Sequence, residues 1–360
     1  MIIIDGSAGE GGGQVLRTAL ALSALSGKSF RIENIRAKRP SPGLQAQHLC
    51  AVRVVAQLCN AEIEGATIGS TTLTFSPGRI EGGKFEHDVG TAGSLTLVLQ
   101  AALLPACFAT KPVTLRLVGG TDVPWSPPLD YLRYVLLPLL RRFCTDITVL
   151  AVRRGYYPAG GGMIEIKVTP SLSRVNEGMW ERFAPIIAAK VPRLDLTSRG
   201  SLVRIEGVAH ASTIMAGAAE RMADAARLHL SSLRVPIEIR TEYAATASIG
   251  GGITLWATFA ADTTEITADA LKVGASALLA KGETPEDACA RAAKELIQVL
   301  TAKGVIDVHL ADQMVPWLAL AGAGMLRAPM MTSHATTNVQ VVGQFLGKRL
   351  VVENDTIRRA

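Results

Sequence analysis

Cysteine is scarce in this chain and forms no pattern. Cys50, Cys59, Cys107, Cys144 and Cys289 are odd in number, widely spaced and mostly set among apolar residues. No CxxC pair or Cys/His zinc spacing occurs, which excludes a disulfide scaffold or zinc module and leaves buried thiols in a reducing compartment. A basic leader followed by an apolar segment is missing, and so is any long uncharged run. Residues 101–108 are apolar but too short to cross a bilayer, and Pro105 interrupts them. The expectation is a soluble, cytoplasmic protein with no membrane partner. No tail of one charge sign exists either. The formal net charge is +6, which suits a polyanionic partner without requiring one, and the pairs Arg141–Arg142 and Arg153–Arg154 are expected to be solvated.

Standard nucleotide loops are also absent. The stretch Gly9-Glu10-Gly11-Gly12-Gly13-Gln14 lacks the Gly-Lys-Ser/Thr ending of a Walker loop. It also carries Gln14 where the dinucleotide pattern needs glycine. What is there remains informative. A strand-like 1–4 runs into this turn, and the turn opens an apolar helix. Glycines permit positive φ and close approach of a ligand. The helix start offers unpaired N–H groups to an anion, and Arg17 adds a fixed charge one turn later. Glu10 repels a phosphate unless a metal ion or proton intervenes, so the combination points to a phosphate-and-metal site. A tight turn without a ligand is an equal reading of the glycines alone.

With 360 residues, 48% of them hydrophobic, the chain supports a large core and more than one domain. One arrangement of elements recurs. In the first copy, helix 13–26 precedes strand 30–36, a polar loop 37–43, helix 44–59, and strands 61–64 and 71–75. In the second, helix 93–106 precedes strand 113–118, loop 119–128, helix 129–143, and strands 145–152 and 163–168. In the third, helix 309–321 precedes a strand near 325–328, loop 329–333, helix 334–345 and strand 349–353. Residues 182–280 break the pattern, with strand 202–209, helix 213–230, and strands 237–241 and 252–260. The reading is α/β (α+β): three repeated four-stranded-sheet/two-helix units with a smaller inserted α/β domain. Repeats one and two occupy 1–181, the insert 182–280 and the third repeat 281–360. Equivalent loops of such repeats fall at equivalent sheet ends, so three of them are expected to line one cleft.

Those loops are rich in chemistry. Thr332, Ser333 and His334 precede Thr336, Thr337 and Asn338 at a helix start. The positive end of the helix dipole disfavours imidazolium and favours a bound phosphate. A neutral imidazole beside a phosphate is poised for attack on phosphorus, although this segment taken alone favours an ordinary first-turn histidine. The first-copy loop supplies Arg36, Lys38 and Arg39, a phosphate clamp or a solvated basic turn. The second runs from Gly119 through Asp122 and Trp125 to Pro128, where a flat proline or aromatic face could stack on a base, although this segment alone favours a rigid turn. Glu10 and Asp312 are the leading metal candidates. His48, His87, His210 and His229 have no partner pattern and read as structural or surface residues.

Taken as an ordered set, these segments resemble the RNA 3′-terminal phosphate cyclase family. The matching pieces are Asp5-Gly6 with the glycine stretch and Arg17, Ile35-Arg36-Ala37 through Gln47-His48, Gly93-Ser94 with Gln100, and Gly119-Gly120-Thr121-Asp122 with Pro127-Pro128. Tyr157-Pro158 through Gly162, Leu310-Ala311-Asp312-Gln313 and Ser333-His334 through Asn338 complete the set. The resemblance covers nearly the whole chain and is weakest in the insert. It implies ATP-dependent closure of an RNA 3′-phosphate to a 2′,3′-cyclic phosphate through protein-histidine-AMP and RNA-adenylate intermediates. Residue by residue it implies His334 as nucleophile and Glu10 as the acid holding a divalent metal, Mg²⁺ or Mn²⁺. It further implies Arg17, Arg39, Gln47 and Gln313 around the phosphates, and Gln14, Gln100, Asp312, Pro127 and His309 around the nucleotide. His309 departs from the pattern, because relatives often carry a larger aromatic there. Cyclase-like proteins of ribosomal RNA processing do not keep the histidine, and no shikimate or phosphoenolpyruvate pattern of an enolpyruvyl transferase is present. The resemblance says nothing of oligomeric state.

Overall fold

The computed structural model describes residues 1–172, 180–260, 270–347 and 349–360. Its first unit consists of β1 (Ile2–Asp5), α1 (Gln14–Ser26), β2 (Phe30–Glu33), α2 (Ala46–Cys59), β3 (Glu62–Glu64) and β4 (Leu73–Ser76). The sheet order is β1-β2-β4-β3. β1 and β2 are parallel because α1 carries the chain back across the sheet, and the remaining pairs are antiparallel.

The second unit repeats this plan. It contains β5 (Gly83–Asp88), α3 (Leu95–Ala106), β6 (Val113–Gly119), a helical segment, β7 (Asp146–Arg153) and β8 (Gly162–Thr169). Its sheet order is β5-β6-β8-β7. The helical segment, expected as one helix over 129–143, is broken into α4 (Leu129–Tyr131), a π turn (Leu132–Leu136), α5 (Leu137–Leu140) and a 3₁₀ turn (Arg141–Phe143). Pro138 supplies the reason: it has no N–H to donate, and the widened π turn just before it absorbs the mismatch.

The third unit starts earlier than the sequence suggests. After α6 (Trp180–Lys190), β9 (Arg193–Leu196) pairs in parallel with β14 (Ala323–Arg327), which pairs with β16 (Thr356–Arg359), and β16 with β15 (Leu350–Glu353). The order β9-β14-β16-β15 matches the other two units. Between β9 and β14 the chain forms β10 (Ser201–Ser212), α7 (Ala218–Leu230), β11 (Ile237–Ala244), β12 (Gly251–Ala260), β13 (Lys272–Leu278), α8 (Pro285–Thr301) and α9 (Val308–Leu318); α10 (Ser333–Leu346) follows β14. The four strands β10 to β13 make a separate sheet, β11-β10-β12-β13. Thus β9, inside the segment expected as an insert, is hydrogen-bonded into the third sheet. α8, inside the segment expected as the third repeat, packs instead on α7, β12 and β13.

The inserted sheet is held on both sides. All ten residues of β12 are buried. One face carries α7 and α8, while Trp256 stacks on Tyr134 of the second unit with ring centroids 4.5 Å apart. At the centre, α1 packs against α3 and α10, so helices of all three units meet. The five cysteines are buried and none is in a disulfide, as their apolar neighbours predict. Among the described residues, no helix is long and apolar enough to cross a membrane.

Candidate active site

α1 organises the site. Every residue from Val15 to Ser26 is buried except Arg17. On a helix covered on nearly all sides, its one charged residue lines a cleft of about 1020 Å³. The helix begins after Gly13, and among the described residues no side chain caps it, so its first-turn amides stay open to a ligand. Two of the glycines are demanded by close contacts. A Cβ on Gly13 would lie 2.1 Å from Nε2 of His48, and one on Gly9, whose φ is +60°, would lie 2.3 Å from Oγ1 of Thr337.

Arg17 donates from Nε to Oε1 of Gln100 at 3.3 Å and pairs with no carboxylate among the described residues. Desolvation lowers its pKa to about 10. A guanidinium held in this way remains charged at neutral pH and lacks an anion. The chain of amides continues: Gln100 donates to Gln313 at 2.9 Å, and Gln313 donates to the His309 carbonyl at 3.0 Å. The His309 ring is half-exposed, meets the edge of Tyr131 at 6.1 Å between centroids and lies 3.8 Å from Glu295.

His334 is the second residue of α10. Thr332 caps that helix by accepting the N–H of Ala335 at 2.9 Å, and the Thr332 hydroxyl also donates to Asp312. Burial raises the Asp312 carboxyl, and the Thr332 bond partly opposes this. Asn338 fastens the next turn, accepting from Thr18 at 2.7 Å and donating to the Asp312 carbonyl at 2.8 Å. Gln14 reaches the His334 carbonyl at 3.4 Å. The His334 ring is thereby presented by a helix start tied to both α1 and α9. Its Nε2 stands 3.5 Å from Oε2 of Glu10. Glu10 accepts from Ser333 at 2.6 Å and from Arg39 at 3.4 Å. The Ser333 hydroxyl holds the Glu10 carboxyl below the usual range, and His334 and Arg39 add to this.

The eleven residues implied by the family resemblance all line this one cleft: Glu10, Gln14, Arg17, Arg39, Gln47, Gln100, Pro127, His309, Asp312, Gln313 and His334. Some are engaged differently from the sequence reading. Of the three loop cations, Arg36 turns back onto the carbonyls of Ser41 and Gly43, and Lys38 holds the Gly9 carbonyl at 3.1 Å, which leaves Arg39 as the freest. Gln47 accepts the backbone N–H of Ser94 at 2.7 Å and so fixes the start of α3. Pro127 accepts the Thr96 hydroxyl at 2.7 Å.

Sequence reasoning missed His48, which lines the cleft. Its Nδ1 accepts the Gln45 N–H at 3.2 Å, so the neutral ring carries its proton on Nε2, toward Gly13. Burial, with Arg17 and Arg36 nearby, pushes its pKa down to about 3. Arg154 was also misjudged. Instead of being solvated it is 2% exposed and bonds to Asp122, Asp130 and Glu242. The three carboxylates lie on separate segments, so no local pattern announces them.

Among the described residues no group of three or more His, Cys, Asp or Glu side chains converges on a metal position. Glu10 is the half-exposed carboxylate beside His334. Small hard cations are commonly held by one or two carboxylates with substrate phosphates completing the shell, and Glu10 fits that pattern.

Comparison with known proteins gives the family. The family described as RNA 3′-terminal phosphate cyclase matches residues 8–352. A Pyrococcus abyssi protein named RNA 3′-terminal phosphate cyclase is 43% identical over 348 residues, covering 97% of this chain and 94% of its own. Proteins of the same name from Archaeoglobus fulgidus and Methanosarcina acetivorans are each 41% identical, covering 99% and 98% of this chain and 99% and 97% of their own.

Proposed function

The chain belongs to the RNA 3′-terminal phosphate cyclase family, and we propose that it uses ATP to convert an RNA 3′-phosphate into a 2′,3′-cyclic phosphate, with His334 as the nucleophile. The observation that carries the reading is the convergence of an uncapped helix start, the unpaired Arg17 and the Glu10–His334 pair in one cleft of about 1020 Å³.

In the first step an imidazole nitrogen of His334 attacks the α-phosphorus of ATP. A P–N bond forms, the bond to pyrophosphate breaks, and AMP remains on the ring. An oxygen of the RNA 3′-phosphate then displaces the imidazole and takes the AMP. In the last step the neighbouring 2′-hydroxyl attacks the activated phosphate and AMP leaves. The ribose itself holds that hydroxyl next to its target, so the closure gains from proximity. A 3′-monophosphate alone lacks a good leaving group, which is why adenylylation precedes ring closure. Only RNA carries the 2′-hydroxyl, so DNA ends stop at the adenylate.

The residues divide this work. Arg17 and the first amides of α1 receive phosphate oxygens, and Arg39 adds charge as negative charge builds at phosphorus. Gln100 and Gln313 keep Arg17 in place, and Gln47 sets α3. His309 and Pro127 flank the nucleotide, while Asp312 orients the helix start through Thr332. Glu10 would hold a divalent cation such as Mg²⁺ or Mn²⁺, which when bound screens the repulsion between carboxylate and phosphates.

Incubation with α-labelled ATP and a divalent metal, followed by a denaturing gel, tests the assignment. The protein is expected to acquire an acid-labile, alkali-stable label that His334→Ala abolishes. A label that survives this substitution removes His334 from the role.

A further inference from the structure

The chain has four tryptophans, and three are core residues: Trp180, Trp256 and Trp317 are 3%, 1% and 5% exposed. Trp125 is 95% exposed. Such exposure usually accompanies a loose loop, but this loop is fastened on both sides of the indole. The Arg154 guanidinium bonds to Oδ2 of Asp122 at 3.1 Å and to Oδ2 of Asp130 at 2.7 Å, so a single buried side chain staples the two ends together. Between them Val123 is buried, Ser126 donates to the Val123 carbonyl at 3.0 Å, and Pro127 accepts from Thr96. Trp125 itself sits at φ +61°, a left-handed conformation that a bulky residue adopts only when its surroundings impose it.

The indole stands on the rim of the cleft that His334, Arg36 and Arg39 also line. A rigid, solvent-facing aromatic ring beside a groove that carries arginines is how proteins grip single-stranded nucleic acid: the charges track the backbone and a base stacks on the ring. We infer that Trp125 is a stacking platform for a base near the 3′ end of the RNA. ATP is the poorer occupant, because an enclosed nucleotide is gripped by residues that are themselves largely covered. An RNA strand, by contrast, must leave the cleft across its rim. The same arrangement gives Arg154 a positioning role, since its two aspartates hold the loop in shape.

The inference rests on the proposed reaction for the identity of the strand, and its test separates the two. Intrinsic fluorescence is titrated with a short RNA bearing a 3′-phosphate, a readout that needs no turnover. Trp125 is the exposed emitter, so wild type should quench, and Trp125→Ala should lose that quench. In turnover assays Trp125→Ala should raise KM for the RNA roughly 5- to 100-fold while AMP attachment from ATP alone keeps its rate. Trp125→Phe should recover most of the RNA affinity. An unchanged KM and quench in Trp125→Ala, or a parallel loss of AMP attachment, overturns the inference. So does a shift from oligomer to monomer on gel filtration with RNA binding unaltered, which would make the indole a contact between copies. Quenching by RNA in a protein that never takes AMP keeps the platform and discards the proposed chemistry.

Discussion

Two clusters of charge in this molecule are built from the same residue types in opposite ways. Around Arg154, the guanidinium and the carboxylates of Asp122 and Asp130 are each about 1% exposed or less, at distances of 3.1 and 2.7 Å. Around His334, the ring, Glu10 and Arg39 are between 38% and 48% exposed, at 3.4 and 3.5 Å. The first cluster is closed to water except at Glu242, and its one guanidinium holds all three carboxylates. The second is open, its contacts are long, and each member has capacity for a further partner. Charge paired away from water fixes structure, whereas charge left open at a cleft is what a substrate can use.

The sharpest way to break the contrast is Arg154→Met. Removing the cation strands two buried carboxylates, and breaking such a pair costs about 3–5 kcal/mol. The denaturation midpoint should fall clearly. A midpoint within error of wild type would mean that water reaches this cluster and that it is not sealed.

Glu10→Gln is the mirror experiment. Exposed ion pairs contribute about 0–1 kcal/mol, so the midpoint should hardly move. AMP attachment should nevertheless fall by roughly 100-fold, the usual consequence of losing one group that stabilises charge at the reacting centre. If instead stability drops and attachment persists, Glu10 belongs to the scaffold and the two clusters are alike.

The same distinction explains what the sequence could reveal. The open cluster announces itself locally: glycines at 9 and 11–13, an acid among them, and a Thr-Ser-His helix start are each readable within a few residues. The repeats are readable too, since α1, α2, α3 and α10 carry apolar residues at helical spacing. The sealed cluster is silent, because Asp122, Asp130, Arg154 and Glu242 meet only after the second unit and the insert have docked. Strand β9 fails for the same reason: its partner β14 lies beyond the whole insert, so a four-residue run gives no sign of which sheet it joins. β5 was missed because polar residues such as Lys84, Glu86 and Asp88 alternate along it and its burial never exceeds an intermediate level. His48 was missed because its significance lies in Gly13, the neighbour whose missing side chain makes room for it.

Acid provides a finer test, since each region holds one buried neutral histidine. His210 sits beside Arg154, accepts from or donates to the Tyr156 hydroxyl at 2.8 Å, and has its pKa lowered to about 3, chiefly by burial. His48, in the cleft, is lowered to about 3 for the same leading reason. In the unfolded chain both titrate near ~6.5, so below that pH the unfolded state binds protons that the native state refuses. Their contribution is therefore complete above ~pH 6.5 and declines as pH falls, by about 1.4 kcal/mol per unit for each ring. His210→Asn keeps a polar partner for Tyr156 but does not titrate. It should remove about half of the stability slope that these two rings produce between pH 6 and 5, measured by denaturant unfolding, while His48 keeps the other half. An unaltered slope would mean that His210 is already protonated in the native state, most simply by drawing on Asp122 at 3.6 Å, and that the sealed cluster holds one more charge than its geometry requires.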